Sequence, residues 1–114
     1  MDISFKSTKL EKEFNEGKRL RKIHGDIRAK KIMLRLADFR VAVCLNDLGP
    51  PYDGPGRCHE LTENRKGQLS VDLDNPCRLI FVPNHAPVPT KGDGGLDWKK
   101  VTVIKIIEIG YTHE

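Results

Sequence analysis

The apolar residues of this chain change their spacing near the middle, and that change limits the fold more than any other feature. From Lys9 to Phe39 they recur at three- and four-residue intervals, as on a helix face, and from Arg57 onward they alternate, as on a strand. Between the two regimes lies Gly49-Pro50-Pro51-Tyr52-Asp53-Gly54-Pro55-Gly56, a loop by composition. Helices first and strands afterwards predict an α+β fold, with two N-terminal helices packed on one face of a mainly antiparallel, twisted sheet. At 114 residues the expectation is a single domain, residues 1–114, with one modest core.

The elements can be placed more closely. Ile3-Ser4-Phe5 alternates and predicts a short first strand. Ser7 or Thr8 offers an N-cap, with Glu11 in capping-box position after Thr8, for a helix over Lys9–Asn15 that Gly17 ends or loosens on the way to Arg21. A second helix, capped by Asp26, takes its apolar face from Ile27, Ala29, Ile32, Met33, Leu34, Leu36, Ala37 and Phe39, leaving Arg28, Lys30, Lys31 and Arg35 for solvent. Leu69, Val71 and Leu73 share one strand face, Arg65-Lys66-Gly67 closes the hairpin before them, and Asp74-Asn75-Pro76 turns the chain into a strand over Cys77–Val82. Pro83–Lys100 is a long loop that Trp98 anchors, and Val101–Ile109 is the last strand.

Charge is uneven. Residues 1–40 hold 12 Lys and Arg against 6 Asp and Glu, whereas the rest hold 8 against 10. The stretch Lys18-Arg19-Leu20-Arg21-Lys22 concentrates this excess and favours a polyanion, although a run of this kind reads equally as a solvated helix face. No apolar run is long enough for a membrane span, and the N-terminus lacks the features of a secretory signal. Three cysteines, Cys44, Cys58 and Cys77, form no CxxC pair, which predicts reduced thiols, a cytoplasmic protein and no metal site. Phosphate-loop, zincin and hydrolase-elbow motifs are absent, and no cofactor is expected.

Arg78 stands among apolar strand residues, so it serves solvent, an acid or a phosphate. His113 follows the last strand, where an imidazole suits proton transfer, and Tyr111 is placed to stack on a base. His59 lies in an alternating strand. Arg65 and Lys66, on the turn, could line a phosphate groove together with Arg78. His24 and His85 have no chemical neighbours in sequence.

The segment C-H-E-L-T-E-N-R-K-G-Q-L-S-V-D-L-D-N-P-C-R-L-I-F and the ending G-Y-T-H-E resemble the RelE/ParE superfamily of toxin–antitoxin toxins. Within it they look most like the HigB branch, with its L-H-P-L-K-G-D-R-x-G-x-W-S-I-x-V-x-x-N-W-R-I-x-F pattern and D-Y-H ending. The opening I-S-F-K-S-T-K-L-E-K-E-F-N-E-G and the loop ending G-G-L-D-W-K-K-V-T are similar too, so the resemblance covers nearly the whole chain. It implies a RelE-like fold and a ribosome-dependent, metal-independent mRNA endonuclease. In that reading His59, Arg78, Tyr111 and His113 serve catalysis. Arg65, Lys66, Lys18, Arg19, Arg21 and Lys22 bind RNA. A helix-turn-helix antitoxin of the HigA type is the partner, beside the ribosome and mRNA, and no membrane is involved. Three positions depart from the pattern: Thr62 stands where the family has a lysine, and Tyr111-Thr112 where it has Asp-Tyr. A toxin-fold protein that binds a protein target or its antitoxin without cleaving RNA is the alternative.

Overall fold

The computed structural model describes residues 1–112; His113 and Glu114 lie outside the described residues. Strand β1 (Asp2–Phe5) leads to Ser7, whose hydroxyl accepts a hydrogen bond from the Leu10 amide at 3.1 Å and so caps helix α1 (Thr8–Asn15). At Glu16 the backbone becomes extended and the helix stops. It restarts as α2 (Gly17–His24), turns at Gly25 with φ of 82°, and continues as α3 (Asp26–Val41). Three helices therefore stand where the spacing predicts two. The break at Glu16 redirects the basic segment so that Leu20 reaches the core while its cationic neighbours stay outside. Gly25, not Asp26, occupies the α3 N-cap, and Asp26 lies in the first turn, where a carboxylate suits the helix dipole.

The buried stripe of α3 is narrower than its apolar content suggests. Ala29, Ile32, Leu36 and Phe39 are buried, but Ile27, Leu34 and Val41 are 74%, 50% and 84% exposed. The inward side is shared with Arg35, which the sequence assigns to solvent. Its guanidinium donates to the Asp72 carbonyl at 2.8 Å, the Pro55 carbonyl at 3.1 Å and the Asp38 carboxylate at 3.0 Å. A buried cation is tolerable only with such partners, and providing them turns Ile27 and Leu34 outward.

The sheet has the order β1-β5-β4-β3-β2, from β2 (His59–Glu60), β3 (Leu69–Asp72), β4 (Cys77–Pro83) and β5 (Val103–Tyr111). β1 runs parallel to β5, and every other pairing is antiparallel. β5 begins after Val101, because the Val101 carbonyl accepts from the Leu45 amide at 2.9 Å instead of joining the ladder. The helices cover one face. Leu69, Val71, Leu73, Cys77, Leu79, Phe81, Ile104 and Ile106 point into that layer, with Phe39 and Phe81 meeting edge to face at 5.0 Å. Each such side chain contributes roughly 1.5–3 kcal/mol through burial. Arg28 on α3 ties the helices to the β3–β4 turn with a two-pronged pairing to Asp74 at 2.9 and 3.2 Å.

Two loops complete the body. In the segment before β2, Gly54 has φ of +92°, and a Cβ there would stand 2.6 Å from the Leu48 carbonyl oxygen, so only glycine fits. In the long loop, Trp98 is buried and donates its indole N–H to Glu60 at 3.1 Å, as an anchor should. His85, which has no evident role in the sequence, accepts hydrogen bonds from the Thr102 and Val103 amides at 3.1 and 3.3 Å and so fixes the entry to β5. Among the described residues no helix is long and apolar enough to cross a membrane.

Candidate functional site

The face of the sheet turned away from the helices carries the polar residues. Strand register arranges them in rows. Arg78 lies opposite Asp72 on one side and Gly110 on the other, and Ile80 lies opposite Ser70 and Glu108, with His59 opposite Ser70 in turn. Two residues of β5 face one of β4 at a bulge between Ile80 and Phe81, which keeps Ile109 on the helix side and Glu108 on the open side.

The Arg78 row is the most concentrated. The Arg78 side chain is 14% exposed; its Nη1 donates to the Thr112 hydroxyl at 2.8 Å, and its Nε lies 3.4 Å from Asp72 Oδ1. The other carboxylate oxygen, Oδ2, accepts from Arg57 Nη1 at 3.2 Å. Arg57 has a left-handed backbone, φ of 48°, and the preceding Gly56 carbonyl accepts from the Asp72 amide at 2.8 Å. One carboxylate thus holds two guanidiniums, leaving the group with a surplus positive charge at a partly exposed point. Guanidinium forks match phosphate oxygens, so this arrangement suits a phosphodiester. Neither Arg57 nor Asp72 stands out in the sequence. Their signal is register: residues 57 and 78 become neighbours only once both strands are paired around Asp72.

His59 is fully buried. Its Nδ1 donates to the Arg57 carbonyl at 2.8 Å, and the Tyr52 ring stacks on it at 4.1 Å and 15°. Its Nε2 and the hydroxyl of Ser70, its cross-strand neighbour, have no hydrogen-bond partner among the described residues. Arg65 spans the same face. Its Nη1 donates to Gln68 at 2.9 Å and to Glu108 at 2.7 Å, so one cation from the turn reaches the far strand β5. Lys66 is exposed beside it at the turn.

The remaining candidates fall elsewhere. Tyr111 pairs with Cys77 in register, on the alternation opposite to Arg78, and is 62% exposed. Among the described residues at this end of the chain, Thr112 reaches Arg78. Lys18, Arg19, Arg21 and Lys22 are all exposed on α2, in the helical layer, with Arg19 paired to Glu16 at 3.3 Å. His113 lies outside the described residues. The structure therefore brings Arg78, Arg57 and Thr112 together around Asp72, places His59 and Arg65 on the same face, and sets Tyr111 and the α2 cations apart. The cysteines are free; burial, helped by Glu60, pushes the Cys58 thiol up to about 12, and burial also raises Cys77, so neither is a ready nucleophile. Among the described residues no group of three or more His, Cys, Asp or Glu converges as a metal site.

No protein-family model matches the chain, and no curated protein does. Solved structures do. A YoeB/ParE toxin from Agrobacterium tumefaciens superposes with a TM-score of 0.54 at 14% identity, covering 99% of this chain and 100% of that one. Two structures from Staphylococcus aureus, a YoeB–YefM complex and a YoeB dimer, each give 0.52 at 18% identity over 99% of this chain and 98% of the other. At these identities the likeness is one of fold, and it extends from end to end: this chain has the α+β fold of the YoeB/ParE toxins.

Proposed function

We propose that this chain is the toxin of a type II toxin–antitoxin system, a HigB-like member of the RelE/ParE superfamily, acting in the cytoplasm as a ribosome-dependent mRNA endonuclease. The observation that carries the reading is the paired guanidiniums of Arg57 and Arg78 around Asp72, on the sheet face that no helix covers. In the proposed reaction the 2′-hydroxyl of one nucleotide attacks its own 3′ phosphorus. Charge grows on the non-bridging oxygens, and preorganised donors aimed there lower the barrier. Arg78, with Arg57 beside it, supplies them. Proton transfer is assigned to His113, which follows Thr112 in the chain. The 5′-oxygen leaves protonated, giving a 2′,3′-cyclic phosphate and a 5′-hydroxyl. Arg65 and Lys66 position the backbone, and the α2 cations meet ribosomal RNA.

The antitoxin needs a surface, and α3 offers one. Ile27, Leu34 and Val41 recur every seven residues on its outer side, with Met33 and Ala37 beside them and Lys30 and Lys31 at the flank. A seam of this spacing suits a second helix. The lysines favour an acidic occupant, since a second copy of this chain would set lysine against lysine. One of the similar structures is itself a complex, of YoeB with YefM.

A reading without cleavage keeps two specific supports: Tyr111 lies on the side opposite Arg78, and Thr62 stands where a lysine is expected. The experiment that separates the two is induction in a bacterium followed by mapping of message ends. Cuts within translated codons carrying cyclic phosphates are expected. Growth arrest with intact messages would transfer the function to a protein target.

A further inference from the structure

We propose that Tyr52 is a stacking platform for one base of a single-stranded RNA whose backbone passes over Arg57 and Arg78. The inference rests on the RNA reading above and adds a binding position to it.

Tyr52 is 54% exposed, yet its ring lies flat against the buried imidazole of His59 at 4.1 Å and 15°. One ring face is thus spent on a support, and the remaining exposed surface is open to a second flat group. The support is held in place. His59 is oriented by its hydrogen bond to the Arg57 carbonyl, while the Tyr52 amide donates to the Cys58 carbonyl at 3.1 Å. Tyr52 itself has φ of 65°, a left-handed conformation uncommon for a bulky residue. The loop therefore maintains local strain while presenting an aromatic ring to solvent, a combination found at binding sites. Gly54, confined between Leu48 and Gly49, fixes the fold of that loop.

Position supplies the ligand's chemistry. The imidazole that supports Tyr52 is bonded to the Arg57 carbonyl at 2.8 Å, which sets the platform beside Arg57, and Arg57 shares Asp72 with Arg78. An aromatic platform beside a pair of phosphate-binding guanidiniums is what a single strand needs: a ring for a base and cations for the adjoining backbone. Duplex RNA does not present its bases in this way. Because every base has a π-face, the platform selects for an unpaired base more than for its identity.

The test uses the full chain and a fluorescein-labelled single-stranded oligoribonucleotide with 2′-O-methyl sugars, which cannot be cleaved, together with a set in which one position at a time is abasic. Tyr52→Ala is expected to weaken binding of the intact strand roughly 5- to 150-fold, with Tyr52→Phe and Tyr52→Trp close to the parent and melting midpoints unchanged. One abasic position should weaken the parent equally and leave Tyr52→Ala no worse. Equal affinity of Tyr52→Ala and parent, while Arg78→Ala loses binding, overturns the platform and leaves the RNA reading standing. A loss in Tyr52→Phe as large as in Tyr52→Ala also overturns it, because the hydroxyl would then carry the contact. Failure of the parent to bind any of the strands also overturns the platform, and the mapping of message ends then decides the RNA reading.

Discussion

Arg78 shows how little a single residue discloses before its neighbours are known. In the sequence it could serve solvent, an acid or a phosphate; in the structure it meets Asp72 and Thr112, and through Asp72 it acquires Arg57. In the proposed reaction Arg78→Ala removes a donor from the developing charge and should slow cleavage roughly 10²–10³-fold. The chain should stay folded, because Asp72 keeps Arg57; the measurement is message cleavage on induction beside a thermal melt. Arg35 is illegible in the sequence for the opposite reason. Arginine usually sits at the surface, and here it is buried with hydrogen bonds to carbonyls that sequence spacing cannot reveal. Asp74 makes a separate case, for stability. Its hydrogen bond from Arg28 holds the carboxyl below the ordinary range, against some desolvation. A depressed folded value stabilises the fold above the unfolded pKa of about 3.9. That contribution is lost as pH falls toward the lowered folded value. Because both side chains are partly exposed, Asp74→Asn should cost only about 1 kcal/mol at pH 7. The difference from the parent should shrink below about pH 4, as followed by denaturant midpoints across pH.

Strands are more legible than helices in this chain. Alternation places Leu69, Val71 and Leu73 on the inner face, and glycine in Arg65-Lys66-Gly67 marks a turn that does have φ of 92° at Gly67. A period of two leaves no freedom once one face is buried. A helix has more. The apolar residues of α3 spread around more of its circumference than the sheet can cover, so spacing alone could not say which of them face inward. The arginine at position 35 decides it, and Ile27, Leu34 and Val41 are left outside. Exposed apolar residues at seven-residue intervals have little effect on the fold and large effect on a docked helix. Leu34→Asp should therefore leave the melting midpoint nearly unchanged and keep the chain growth-inhibitory. On the toxin–antitoxin reading it should also prevent a cognate antitoxin from restoring growth. Co-expression of the pair with growth as readout checks this, and full rescue of the variant would remove α3 as the docking element.

At the scale of the molecule, the proposed RNA contacts fall on two sides. The cations of α2 are exposed in the helical layer, and Arg57 and Arg78 lie on the open face of the sheet, within a body measuring 45 × 26 × 26 Å. A sheet and a layer of helices separate them, more than the ~8 Å Debye length at physiological salt. Charge changes on one surface then barely alter the field at the other, and their effects should add. Binding to a large polyanion and chemistry on a phosphate can accordingly be separated by mutation. Exchanging Lys18, Arg19, Arg21 and Lys22 for serine should weaken ribosome co-sedimentation and flatten its dependence on salt, by roughly 0.7–0.9 in logarithmic slope for each phosphate that is no longer neutralised. Arg78→Ala should co-sediment close to the parent, its slope lower by at most about one phosphate's share, and fail to cut. The combined variant should show both defects without further interaction between them. The reverse pattern, with Arg78→Ala falling off the ribosome and the α2 variant binding normally, would mean that the sheet face carries attachment as well as chemistry, and that the basic helix is a solvated surface.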